Sequence, residues 1–101
     1  MSKIEFRTDK DILYISLDGR IDASNAADVE KKIIEIRTAN EGMHTVLDAD
    51  NLEYISSAGL RVLLAAQKKM QQIGSMKVIN VVESVMEVFE ITGFADILTI
   101  E

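Results

Sequence analysis

The spacing of apolar residues changes repeatedly along this chain, and that change constrains the fold more than any other feature of the sequence. Residues 3–8 alternate polar and apolar, residues 12–17 are rich in β-forming side chains, and a polar turn joins them. Together they predict an antiparallel hairpin. Asp18-Gly19-Arg20 then ends the second strand or bulges it. From Ser24 apolar residues recur every three or four positions, which predicts a helix capped by Ser24 or Asp22.

The same change of spacing occurs twice more before the chain ends. Residues 43–47 form an apolar run typical of a buried strand, and residues 48–57 are interpreted as a loop that leads into a second helix, which Gly74 stops. The remaining segments predict a strand at 75–81, a helix at 83–91 and a last strand at 97–100. The order β-β-α-β-α-β-α-β predicts an α/β fold, a mixed sheet with helices packed against it.

Length and composition restrict the class of protein. The 101 residues are enough for one domain, 1–101, and the absence of cysteine excludes disulfides and thiolate metal sites. The first ten residues carry charges where a signal peptide needs an apolar run, and no window approaches the length of a membrane span. We therefore expect a cytoplasmic protein with no membrane association. A net charge of −6 argues against direct binding of nucleic acid.

Few residues offer the chemistry of an enzyme. The sequence contains no phosphate-binding P-loop and no Gly-x-Ser-x-Gly motif. His44 is a single histidine, and a structural or surface role is expected for it. Asp48 and Asp50 lie two residues apart after a predicted strand, where they could bind Mg²⁺ or act as acid and base. Solvated carboxylates in a loop explain the pair better. We expect no catalysis, no cofactor and no metal.

The stretch Tyr54-Ile-Ser-Ser-Ala-Gly-Leu60 combines two serines with the predicted start of the second helix. Ser56 or Ser57 would be the N-cap, and a cap alone would account for one of them. A hydroxyl at a helix N-terminus is also a good place for a phosphate, because the helix dipole and its free N–H groups accept negative charge. The phosphate would add about two negative charges to a small, neutral surface. The residues alone leave both alternatives open.

With these motifs in order, the chain resembles the STAS domain family and, within it, the bacterial anti-sigma factor antagonists. The resemblance extends over nearly the whole chain. Its landmarks are Gly19-Arg-Ile-Asp22, Val46-Leu-Asp48, Tyr54-Ile-Ser-Ser-Ala-Gly-Leu60 and Val88-Phe-Glu-Ile-Thr-Gly-Phe94. It implies a single STAS domain, a mixed sheet with helices packed mainly on one face, and a monomer when free.

The resemblance also implies a function. Free-standing members bind an anti-sigma factor that is also a serine kinase of the GHKL type, and this releases a sigma factor for transcription. The kinase phosphorylates the antagonist and ends the interaction, and a phosphatase of the PP2C type restores it. Two other functions stay open: a STAS module in a signalling assembly with another output, and a nucleotide-binding protein or small enzyme that uses Asp48, Asp50 and the serine loop.

The resemblance assigns roles to individual residues. Alignment on Gly59-Leu60 places Ser57 at the phosphorylated position, with Ser56 as the alternative acceptor. Ser56 stands where the family usually has aspartate, and Ala58 stands where a second hydroxyl is usual. Asp48 is expected beneath the serine loop, where it could order that loop. The residues expected at the partner surface are Asp22, Ser24, Ser56, Ser57, Ala58, Gly59 and Arg61.

Overall fold

The elements of the computed structural model follow the predicted order. The model describes residues 3–73, 76–93 and 99–101. Its elements are β1 (Lys3–Asp9), β2 (Ile12–Ile21), α1 (Ala26–Ala39), β3 (His44–Ile55), α2 (Ser57–Ile73), β4 (Met76–Ile79) and α3 (Glu83–Thr92). The hairpin turns at Lys10, whose φ of 57° is left-handed, and α3 ends at Gly93, where φ is 80°. None of the described helices is long and apolar enough to cross a membrane.

The sheet is mixed, as predicted. Its strands lie in the order β1-β2-β3-β4. β1 pairs antiparallel with β2, whereas the pairs β2–β3 and β3–β4 are parallel. Parallel crossovers are almost always right-handed, so α1 and α2, which connect successive neighbouring strands, lie on the same face of the sheet. They also contact each other there. The predicted packing of helices mainly on one face is confirmed.

The core lies between that face of the sheet and the helices. Along β2 the residues Leu13, Ile15 and Leu17 are fully buried, whereas Ser16 between them is exposed. Helix α3 contributes Phe89, which has no exposed surface. The other large, fully buried side chains are Ile21, Ile33, Leu47, Leu52, Ile55, Leu60 and Leu63.

Strand β3 is much longer than the sequence predicts. The apolar run was expected to end at Leu47 and to be followed by a loop, but β3 continues to Ile55. The prediction of a loop at 48–57 is therefore wrong. Beyond Leu47 the buried residues of β3 are Ala49, Leu52 and Ile55. Ala49, Leu52 and Ile55 are spaced three residues apart. A half-buried strand is recognised in a sequence by a spacing of two residues.

Irregular pairing between β2 and β3 explains that spacing. The register shifts between Ser16 and Asp18 and again between Gly19 and Arg20, and at each shift β3 carries one residue more than β2. An extra residue on one strand is a β-bulge, which breaks the alternation of faces. Strand β2 does not end at Asp18-Gly19-Arg20, since it continues to Ile21. The predicted bulge falls at this point of the pairing, but its extra residues lie on β3 and not on β2.

The ends of the remaining elements differ from the predictions in smaller ways. Helix α1 begins at Ala26 with Asn25 at the cap position, and Asn25 makes no capping hydrogen bond through its side chain. The predicted cap at Ser24 is wrong, whereas Asp22 caps the turn that leads into the helix. Its carbonyl accepts the Ala26 N–H and its Oδ1 accepts the Ser24 N–H, both at 2.9 Å. Gly74, the predicted stop of α2, lies outside the described residues. The first two residues of the predicted last strand, 97 and 98, also lie outside them. Its final residue, Ile100, forms a parallel bridge to Val78 of β4.

Candidate functional site

The turn before α1 and the start of α2 lie side by side, because they follow neighbouring parallel strands. Ile21 and Ile55 are the last paired residues of β2 and β3. The Ser56 N–H then donates to the Ile21 carbonyl at 2.8 Å, which ties the first residue after β3 to the end of β2. Ligands commonly bind α/β sheets at such carboxyl ends of strands. Six of the seven residues expected at the partner surface therefore lie in two adjoining segments, 22–24 and 56–59.

Ser56 is the cap of α2. Its Oγ accepts the Gly59 N–H at 3.2 Å, and its carbonyl accepts the Leu60 N–H at 2.9 Å, the first hydrogen bond of the helix. The residue is half-buried. The choice between Ser56 and Ser57 as N-cap, which the sequence leaves open, is thereby decided for Ser56. Its hydroxyl already has a structural role.

We expect Ser56→Ala to lower the free energy of unfolding by about 1 kcal/mol, because the Gly59 N–H loses its acceptor at a partly buried helix start. Ser57→Ala is the matched control, since Ser57 is exposed and lies one residue inside the helix. Urea denaturation of both variants checks this. Equal midpoints for Ser56→Ala and the unmodified chain would contradict the capping role.

Ser57 is the exposed hydroxyl of the pair. It is the first residue of α2, and the first turn of that helix contains no acidic side chain. The positive end of the helix dipole is therefore not offset by a carboxylate within its own helix. Ala58 beside it is half-buried, and Arg61 is exposed one turn further along. This arrangement can accept a negatively charged group on Ser57 without disturbing the helix.

Gly59 holds the helix start close to the strand ends. A Cβ built on it would lie 2.7 Å from both Ile21 Cγ2 and Ile55 Cγ1, and 3.2 Å from the Ile21 carbonyl oxygen. Real Cβ atoms essentially never lie within 3.0 Å of another such atom, so no larger residue fits here unless Ile21 or Ile55 shifts. Gly59 is buried, unlike the other residues expected at the partner surface. Its effect on that surface is to set the distance between α2 and the sheet.

Asp22 organises the turn before α1. Its Oδ1 accepts the Ser24 N–H at 2.9 Å and also accepts the Ser24 hydroxyl. Asn25 closes the turn from the other side, where its Oδ1 accepts the Asp22 N–H at 2.9 Å and its Nδ2 donates to the Arg20 carbonyl at 2.8 Å. The Ser24 hydroxyl, followed by the Ser24 N–H, lowers the pKa of Asp22 below its ordinary value. Asp22 is therefore a turn residue that carries a negative charge beside α2.

We expect Ser24→Ala to raise the pKa of Asp22 toward its ordinary value of 3.8, because the strongest of these hydrogen bonds is lost. In the unmodified chain the pKa of Asp22 is lower in the folded state than in the unfolded state. The contribution of the Asp22 hydrogen bonds to the stability of the fold is therefore fully present above the ordinary pKa. It is lost as the pH falls through the folded-state pKa. An NMR pH titration of the Asp22 carboxyl checks the shift. The same midpoint in both proteins would contradict it.

Asp48 and Asp50 do not join the serine site. Asp48 Oδ1 accepts the Asp50 N–H and the Asn80 Nδ2 group, both at 3.1 Å. Seven residues of β3 lie between Asp48 and Ser56, which separates the two by about 25 Å at the rise of a β-strand. The expectation that Asp48 orders the serine loop is therefore wrong. His44 is exposed at the start of β3, and no group of three potential metal ligands occurs among the described residues.

A contact between an arginine and an aromatic ring beside the site is not predicted by the sequence. The Arg20 guanidinium lies over the Tyr54 ring, 4.3 Å from its centroid, and Tyr54 is 39% exposed. The two residues are register partners, each two positions before a segment of the site. Arginine on an aromatic ring is a stabilising contact and a common element of protein interfaces. Only the register of β2 against β3 brings the pair together, so the sequence gives little signal of it.

The profile of the STAS domain matches residues 3–101. The chain belongs to the STAS domain family. Among sequence relatives of this STAS domain is BtrV of Bordetella bronchiseptica, a candidate anti-sigma factor antagonist. The two are 37% identical over 90 residues, which cover 88% of this chain and 77% of BtrV.

Solved structures share the fold of this STAS domain. An anti-sigma factor antagonist from Mycobacterium paratuberculosis superposes with a TM-score of 0.88 at 19% identity, covering 99% of this chain and 85% of the other. The antagonist SpoIIAA superposes with a TM-score of 0.78 in its unphosphorylated form, at 16% identity over 98% of this chain and 88% of SpoIIAA. The phosphorylated form of SpoIIAA from Bacillus superposes with a TM-score of 0.69, again at 16% identity, over 100% of this chain and 91% of SpoIIAA. At these identities the structures establish the fold alone.

Proposed function

We propose that this STAS domain is an anti-sigma factor antagonist whose binding is switched off by a phosphate on Ser57. It docks on an anti-sigma factor that is also a serine kinase of the GHKL type. Docking releases the sigma factor, phosphorylation of Ser57 ends the interaction, and a PP2C-type phosphatase reverses it. The relatives named as anti-sigma factor antagonists support the partner.

The observation that supports the proposal is the difference in environment between the hydroxyls of Ser56 and Ser57. Ser56 is half-buried and its hydroxyl accepts the Gly59 N–H, whereas Ser57 is exposed. A kinase must reach an acceptor hydroxyl and orient it, and Ser57 permits this without loss of the cap. The likeness to SpoIIAA, whose structure is known in a phosphorylated form, is consistent with such a cycle.

The physical basis of the switch is desolvation. Unmodified Ser57, Ala58 and the turn at 22–24 offer a small polar surface that a partner can cover. A phosphoserine would place about two negative charges there, and Asp22 already contributes another close by. Burying those charges under a partner without matching cations costs several kcal/mol. The helix dipole stabilises the same phosphate in the free protein, so binding changes while the fold does not.

The experiment that tests this function is competition. The GHKL-type kinase encoded nearest to the gene is loaded with its sigma factor, and release of the sigma factor is followed by size-exclusion chromatography as this chain is added. We expect the unmodified chain to displace the sigma factor and the phosphorylated chain not to. Binding of the kinase without displacement of a sigma factor would instead favour a STAS module with another output.

A further inference from the structure

Helix α1 contains a largely buried arginine, one nitrogen of which has no hydrogen-bond partner in the described part of the chain. Arg37, on the last turn of α1, is only 9% exposed. Its Nε is shielded from solvent and makes no hydrogen bond. Burial lowers the pKa of Arg37, with no nearby anion acting in the opposite direction. An arginine stays protonated in proteins, so a polar N–H of a charged group is left without an acceptor in a place that water does not reach.

Arg37 lines a groove between α1 and α2. Ile33 and Ile34 form one wall with it, and the small side chains Val62, Ala65 and Ala66 form the other. Glu30 lies in the same groove, but no ion pair joins it to Arg37. The groove is partly open to solvent, and the space between its walls is only about large enough for one water molecule. That space holds a single small polar group and excludes a nucleotide.

The groove continues from the proposed partner surface. α1 and α2 both start at the carboxyl edge of the sheet and run side by side. On α2, Val62 lies four residues after Ala58, and Ala65 lies three residues after Val62, so the three side chains share one side of the helix. Ala65 is about 10 Å further along than Ala58. An interface of ordinary size, about 800 Å² on each partner, would extend over that distance.

We propose that Arg37 receives the carboxylate of an aspartate or glutamate side chain that the docked anti-sigma factor inserts between α1 and α2. The inference rests on the proposed function, because it assigns a second contact to the same partner. The carboxylate would supply the acceptor that the Arg37 Nε lacks, in a charge-assisted hydrogen bond shielded from water. The apolar walls of the groove would pack against the stem of that side chain.

The first test compares Arg37→Met with Lys31→Met by calorimetric titration of the unphosphorylated chain against the GHKL-type kinase. Lys31 is an exposed cation on the same helix, so its loss controls for the change in net charge. We expect Arg37→Met to bind about tenfold or more weaker and Lys31→Met to bind as the unmodified chain does. The Tm of Arg37→Met should be equal or higher, because a buried N–H group without an acceptor is removed. Equal affinity of all three proteins would overturn the inference and leave the proposed function standing.

The second test needs no kinase and uses acetate as the probe. The Arg37 Nε–H resonance is followed by NMR as sodium acetate replaces sodium chloride at constant ionic strength. We expect a saturable shift at Arg37 and none at the exposed Arg61. No shift at Arg37 would overturn the carboxylate site. A shift at Arg37, together with an unmodified chain that does not bind the kinase, would support the site while refuting the proposed function.

Discussion

Replacing Ser57 by aspartate is expected to weaken binding of the anti-sigma factor by about 100-fold or more, whereas Ser57→Ala is expected to bind as tightly as the unmodified chain. A carboxylate at this exposed position would have to be desolvated under the partner, and an unpaired charge costs several kcal/mol to bury. The fold should tolerate it, since acidic residues are favourable in the first turn of a helix and α2 has none there. Calorimetric titration of each variant against the GHKL-type kinase measures the difference.

Ser56→Asp is the matched control for that experiment. It adds the same charge one residue away, at the position where the family usually has aspartate, and aspartate is as good an N-cap as serine. We therefore expect Ser56→Asp to keep both the stability and most of the affinity. If Ser57→Asp and Ser57→Ala bind equally well, a negative charge on Ser57 is not the switch.

Gly59→Ala is expected to lower the free energy of unfolding by about 1–3 kcal/mol. In an ordinary helix this replacement stabilises by up to about 1 kcal/mol, because alanine loses less backbone entropy. Here the added Cβ would meet Ile21 and Ile55 at 2.7 Å. Both contacts are to atoms bonded directly to a Cβ, so neither can swing away as the end of a long side chain would. The steric term should therefore exceed the gain in propensity.

Urea denaturation of Gly59→Ala and Ser57→Ala measures this balance. Ser57→Ala lies in the same turn but is exposed, so it reports the change in helix propensity without the steric term. A Gly59→Ala protein as stable as the unmodified chain, or more stable, would contradict the close approach of α2 to the ends of β2 and β3.

The sequence was sufficient to predict the order of the elements, and it singled out the serine pair as a candidate site. Both depend on local patterns. Two serines that follow Ile55 and precede a helical spacing of apolar residues mark a capped helix start at the end of a strand. The family resemblance then pointed to Ser57, and the structure adds the reason that Ser56 and Ser57 differ, namely that the Ser56 hydroxyl is already engaged.

What the sequence could not predict depends on how distant segments pair. The second half of β3 was mistaken for a loop because two bulges place Ala49, Leu52 and Ile55 three residues apart on one face. The contact of Arg20 with Tyr54 likewise requires the register of two strands. The start of α1 was placed at Ser24, two residues early, because Asp22 and Ser24 bond each other within the preceding turn. Nothing local indicates which acceptor such a side chain will find.

Phosphate mapping tests the central claim most directly. The chain is incubated with ATP and the GHKL-type kinase encoded nearest to its gene, and intact mass and fragment masses are recorded. We predict a gain of one phosphate, about 80 Da, on Ser57, with loss of that gain in Ser57→Ala and its retention in Ser56→Ala. A phosphate on Ser56, or no phosphate on the unmodified chain, would contradict the assignment of Ser57 as the switch.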